Sequence, residues 1–179
     1  MKKLLILLIP ILTVFGCVDD PCDDVFCYNG GVCIDGTCDC PLGYIGTDCG
    51  FQVTPQKIVI RTIRVTDFPA TDNGFPWDSG SDADIYPTIY DKNDELIFES
   101  SAYFVDAYPT DIYEFEMEFD LTEPNENYAI VLYDYDEIGD DDYIGGIEFK
   151  PYHDTNGFPE EIDLYAGGIG ITLVVEYYF

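Results

Sequence analysis

From about residue 56 onward the chain is a succession of short apolar runs in which hydrophobic and polar positions alternate with period two. Glu114-Phe115-Glu116-Met117-Glu118-Phe119 is the clearest: it puts Phe115, Met117 and Phe119 on one face and three glutamates on the other, the pattern of a strand half-buried in an antiparallel sheet. Runs of the same kind lie at Lys57 to Val65, Ile85 to Tyr90, Glu95 to Glu99, Tyr103 to Ala107, Tyr113 to Phe119, Tyr128 to Tyr133, Ile144 to Phe149 and Ile171 to Tyr177. Turn-forming residues such as Asp91-Lys92-Asn93-Asp94 separate them, and no segment sustains a helical period. The expectation is an all-β domain of residues 56–179, an eight-stranded antiparallel β-sandwich.

The first third of the chain follows other rules. Met1-Lys2-Lys3 is a basic start and Leu4 to Phe15 an apolar run too short to span a bilayer, so residues 1–16 are expected to be a signal peptide. Six of the seven cysteines, Cys22, Cys27, Cys33, Cys38, Cys40 and Cys49, fall within 28 residues, and none forms the CxxC pair usual in zinc sites. So dense a set in an exported chain predicts a small module stapled by disulfides at residues 22–49, with fifteen pairings open on spacing alone. Cys17 is the odd one. Residues 17–21 then form a short tether and residues 50–55, interrupted by Pro55, a linker.

Charge narrows the partners. The 179 residues carry 7 Lys+Arg against 36 Asp+Glu, a net charge of −29, so nucleic acid is excluded as a partner for want of basic side chains to neutralise phosphates. Tyr 15, Phe 12 and 47% hydrophobic residues provide a core, which sets the chain apart from acidic disordered proteins. The acidic residues concentrate at Asp134-Tyr135-Asp136-Glu137-Ile138-Gly139-Asp140-Asp141-Asp142. In Asp-x-Asp-x5-Asp two carboxylates leave a strand on one face and a loop returns a third, a cup of hard oxygens suited to Ca2+ and poorly suited to zinc or copper. The alternative is a solvated acidic loop. His153 is the only histidine, with no nucleophile motif around it, so an enzyme is not expected.

Several segments carry resemblances. Ala129 to Asp136 followed by Asp141-Asp142-Tyr143-Ile144-Gly145 resembles the third calcium loop of C2 domains, and Trp77-Asp78-Ser79-Gly80-Ser81-Asp82-Ala83-Asp84-Ile85-Tyr86 resembles their first. That resemblance implies a C2-like sandwich with Asp78, Asp84, Asp134, Asp136 and Asp142 as Ca2+ ligands; Asp72 or Asp82 stands open as a replacement for Asp78. Tyr28-Asn29-Gly30-Gly31-Val32-Cys33, Cys38-Asp39-Cys40 and Gly43 to Cys49 resemble the epidermal growth factor (EGF) module, which implies Cys22–Cys33, Cys27–Cys38 and Cys40–Cys49 disulfides. Val14-Phe15-Gly16-Cys17 resembles a bacterial lipobox, which implies acylation of Cys17 and a lipid-anchored protein of the bacterial outer membrane or cell surface.

Together these features predict an anchored surface protein whose calcium-loaded domain mediates binding or adhesion. Phe75 and Trp77 on the first loop are candidate contacts to phospholipid, although Trp77 packed beneath its own loop is an equal reading. Ile138 on the third loop is flanked by Glu137 and Asp140, which favours a protein or glycan partner over insertion into an anionic membrane. The alternative function is a structural accessory lipoprotein of a larger envelope complex, with calcium only stiffening the loops.

Overall fold

The computed structural model describes residues 20–78 and 80–179; the leader, Cys17 and most of the tether lie outside them. Thirteen strands follow in order among these residues, with no helix: β1 (Val32–Ile34), β2 (Thr37–Asp39), β3 (Tyr44–Ile45), β4 (Phe51–Gln52), β5 (Lys57–Asp67), β6 (Ala83–Tyr90), β7 (Leu96–Glu99), β8 (Phe104–Ala107), β9 (Tyr113–Leu121), β10 (Tyr128–Asp134), β11 (Asp142–Phe149), β12 (Glu161–Ala166) and β13 (Ile169–Tyr178). The first four make two small antiparallel hairpins of the disulfide-rich module, β1 with β2 and β3 with β4. The disulfides join Cys22 to Cys33, Cys27 to Cys38 and Cys40 to Cys49, the pairs that the EGF resemblance implies.

The other nine strands form the sandwich. One sheet runs β12-β13-β5-β9 and the other β11-β10-β6-β7, with β8 also on β6. Because β10 covers one side of β6 as far as Ile85, both β7 and β8 must lie on its other side, where β7 takes Thr88 to Tyr90 and β8 takes Ala83 to Ile85. They therefore share one edge position, and the sandwich has eight positions filled by nine strands. The split falls opposite Tyr86-Pro87, where the proline has no N–H to give to a ladder. The strand absent from the sequence expectation is β12, whose Ile162 and Leu164 are only half-buried between exposed acids.

The two inner faces enclose one core, built on β-branched and leucine side chains such as Ile58, Ile60, Ile63, Ile85, Ile89, Ile130, Leu132, Ile171 and Leu173, each fully buried. Each such side chain contributes about 1.5–3 kcal/mol by leaving water. On the outer face of the sheet that holds β5, the few cations separate rows of acids. Lys57 pairs with Asp120, Arg61 with Glu118 and Glu176, and Arg64 with Glu114 and Glu161. Pairs this exposed add little stability of their own, but they relieve repulsion between β9 and its neighbours.

The small module is docked on one end of the sandwich. The Gln52 side chain donates to the Gly157 carbonyl (2.9 Å) and accepts from the Gly157 N–H (3.2 Å). Phe158 sits edge-on to Tyr44, Tyr177 and Phe179 at 5.2, 5.3 and 4.9 Å between ring centres. Gly43, at φ +88, lies so close that a Cβ there would be 2.5 Å from the Phe158 ring. From this joint β5 runs 11 residues, roughly 35 Å at strand rise, to the opposite end where the first loop begins.

Candidate metal centre

At that far end β6, β10 and β11 lie side by side. Asp134, the last residue of β10, is paired in register with Asp142 at the start of β11 and with Ile85, next to Asp84, in β6. The Tyr135 N–H donates to the Asp84 carbonyl, extending the ladder one step into the loop. Period-two alternation and two strand ends thus bring together aspartates from three separate stretches of sequence.

Asp134 is the pivot. It is 1% exposed, its Oδ1 accepts the Asp84 backbone N–H, and its Oδ2 is buried without any hydrogen-bond partner. Burial pushes its carboxyl up to about 6; the Asp84 N–H opposes this, and the negative charges of Asp78, Asp136 and Asp84 reinforce it. The Asp136 carboxyl is likewise raised, by desolvation first and then by Asp142, Asp78, Asp141 and Asp84. Asp78, Asp84, Asp134, Asp136 and Asp142 therefore share one electrostatic neighbourhood.

Asp141 was not among the expected ligands, yet it shapes the loop. Its Oδ1 accepts the Asp136 N–H (3.0 Å) and its Oδ2 accepts the Tyr86 hydroxyl (2.6 Å), so it braces the loop from within. Its place in the Asp140-Asp141-Asp142 run was visible in the sequence, but nothing local distinguished brace from ligand. Asp106 joins in the same way through its backbone, whose N–H donates to Asp84 Oδ1 at 2.8 Å.

The two alternatives to Asp78 differ in setting. Asp72 is exposed at a tight turn, bridged to Phe75 and accepting the Asn73 amide. Asp82 lines a shallow pocket with Asp106 and Pro76. Asp78 is among the charges that raise both Asp134 and Asp136. Of the two loop-tip residues, Trp77 is half-buried against the core and donates its indole N–H to the Pro69 carbonyl (2.9 Å), while Phe75 stands 73% exposed. Ile138 is 93% exposed at the crown of the third loop.

Chemically the cluster offers only hard carboxylate oxygens. His153 lies near the opposite end, where it lines the pocket that includes Gly157 and Tyr177. The donor set suits a hard divalent cation, and the unpartnered Asp134 oxygen is a donor with nothing else to satisfy it. Among the described residues no three acidic, cysteine or histidine side chains form a closed metal-binding group. The aspartates are neighbours in charge rather than a finished cage, with Asp134 turned inward and Asp142 exposed.

No family model matches the chain, and no curated protein matches it in sequence. Among solved structures, human GIVD cytosolic phospholipase A2, in complex with methyl γ-linolenyl fluorophosphonate inhibitor and terbium chloride, superposes with a TM-score of 0.51 at 12% identity. The match covers 70% of this chain and 18% of the phospholipase, so only a small part of that protein is represented here. A C2 domain solved by itself gives a TM-score of 0.48 at 17% identity, over 69% of this chain and 98% of that one. The calcium-bound pair of C2 domains from extended-synaptotagmin 2 gives 0.42 at 20%, over 69% of this chain and 46% of that one. At such identities the likeness concerns architecture alone, and the architecture is an antiparallel β-sandwich following a disulfide-rich module.

Proposed function

We propose that this is a lipid-anchored bacterial surface protein whose C2-like domain binds Ca2+ through Asp78, Asp84, Asp134, Asp136 and Asp142. The observation that carries the calcium reading is the buried, unpartnered Oδ2 of Asp134 amid the charges of Asp78, Asp84 and Asp136. Leaving such a group unsatisfied costs about 1–3 kcal/mol, and an oxygen-seeking cation removes that cost together with the repulsion. Calcium outside a cell is abundant, so a site in the roughly 10⁻⁴ to 10⁻³ M class of extracellular modules stays filled and acts constitutively.

Cys17 is the residue left over once six cysteines are paired in three disulfides, which supports its assignment as the acylated residue at the end of the leader. The paired cysteines and the glycine-rich turns around Tyr28 to Cys33 support an EGF-like module as spacer. Exposed Phe75 and Ile138 beside the cluster support a role in calcium-dependent contact with a partner, rather than a purely structural ion inside an envelope complex. No catalytic step belongs to this reading.

The test is a thermal melt of the purified protein in chelator and in about 1 mM Ca2+. A calcium-dependent rise, equivalent to roughly 2.7 kcal/mol at a hundredfold excess over Kd and lost in Asp136→Asn, supports the site. An unchanged melting temperature removes it.

A further inference from the structure

The break between β7 and β8 opens a second site. Opposite Tyr86-Pro87 the edge strand is interrupted at Ser100-Ser101-Ala102, held by the Ser100 N–H on the Pro87 carbonyl (3.0 Å) and by hydrogen bonds between Ser100 Oγ and Ala102. In the gap lies a pocket of about 280 Å3 lined by Tyr86, Tyr103, Tyr135, Glu99 and Asp141. Its walls are fixed. Tyr103 stacks on Tyr135 with ring centres 4.6 Å apart, Tyr86 stacks on Tyr133 at 5.8 Å, and the Tyr86 hydroxyl is bonded to Asp141.

Three tyrosines and two carboxylates make an aromatic wall with an acidic rim and no compensating charge. Among the described residues Lys57, Arg61, Arg64 and Lys92 are engaged in ion pairs elsewhere, and Lys150 lines a different pocket. A bare metal ion is ill-suited to such walls, because it would exchange water for ring faces. A neutral ligand would leave Glu99 and Asp141 unbalanced. A cation clad in methyl groups satisfies both surfaces, with its charge near the carboxylates and its methyls against the rings. The volume matches a head group rather than a larger organic ligand.

We propose that this pocket binds a quaternary or trimethylated ammonium group. It is a different cavity from the calcium cluster, although it shares the Asp141 brace and the loop that carries Tyr135, and it stands even where the calcium reading fails.

The experiment is a titration of the purified full-length protein with choline chloride in chelator at constant ionic strength, following the choline methyl proton resonance and the heat of binding, with a parallel series in Ca2+. The expected result is a saturable upfield shift, from ring currents, in the millimolar range of a small head group. Glu99→Gln weakens binding about fivefold, and Tyr103→Ala, a second exposed position, abolishes it. A calcium-independent melting temperature alongside saturable choline binding rejects the metal site and leaves this one intact. 3,3-Dimethylbutan-1-ol, the uncharged isostere of choline, is the control: equal binding of the alcohol, unchanged binding in Tyr103→Ala, or no saturable shift overturns the proposal. A trimethyllysine peptide serves as the second probe. Tighter binding of the peptide puts the natural source in a protein; tighter binding of choline puts it in a choline-bearing lipid or glycan.

Discussion

The carboxylate of Asp134 hangs on the backbone N–H of Asp84 by one oxygen and keeps the other buried and unpartnered. The end of β10 and the start of β6 are thereby joined, 50 residues apart in sequence, by a group that is costly to ionise.

That cost has a pH signature. Asp134 titrates near 6 in the folded chain against 3.8 for an ordinary aspartate, so the folded state holds its proton over a range where the unfolded state releases it. In chelator, stability from this group is full below about pH 4, falls by roughly 1–3 kcal/mol as pH rises to 6, and is level above. Asp134→Asn should lack that segment of the curve. Urea midpoints at half-unit pH steps, wild type against variant, measure it.

Ligands and bystanders in the third loop separate by charge removal. Asp84→Asn and Asp136→Asn are expected to lose at least about tenfold in Ca2+ affinity, or ~1.4 kcal/mol. Glu137→Gln and Asp140→Asn, both exposed, are expected to stay within about threefold. Calorimetric titration with Ca2+ reads all four.

At the joint, Gly43→Ala places a methyl against Phe158 and Phe179 at a positive φ, and is expected to destabilise by about 2–4 kcal/mol. Gln52→Ala, which loses both bonds to Gly157, should cost about 1–2 kcal/mol. Denaturant unfolding followed separately by disulfide-module and sandwich probes checks both. The wild type should lose the two signals together, and Gly43→Ala should let the module signal go first.

Removing the Cys40–Cys49 bridge by a double serine substitution should cost about 2–4 kcal/mol, because it frees the hairpin of β3 and β4 that presents Tyr44 and Gln52 to the joint. The same probes read it.

Much of the sandwich was legible because its strands obey the period-two rule: Phe115, Met117 and Phe119 all turn inward from β9, as their alternation predicts. β12 escaped notice because six residues with two half-buried apolar positions give too little contrast. Pro87 was visible, but that it would split an edge into two strands depends on where the neighbouring chain runs, which is a tertiary fact. The aspartates of the candidate site were nominated by residue type and spacing. Which of them is buried, and that Asp141 is spent on Tyr86 and the Asp136 N–H, follows only from packing. The tyrosine pocket left no trace in sequence, since Tyr86, Tyr103 and Tyr135 belong to three different strands or loops and share no spacing.

The joint between Gln52, Gly157 and the Phe158 ring cluster has a mechanical consequence. A pull applied at the far loops and resisted at the N-terminus runs lengthwise along β5, so the hydrogen bonds to β13 and β9 are loaded together in shear rather than opened one after another. Beyond the joint the load enters a segment whose slack is capped by three covalent cross-links over residues 22–49. From Cys22 to the far loops the described chain therefore has little slack to give up under tension.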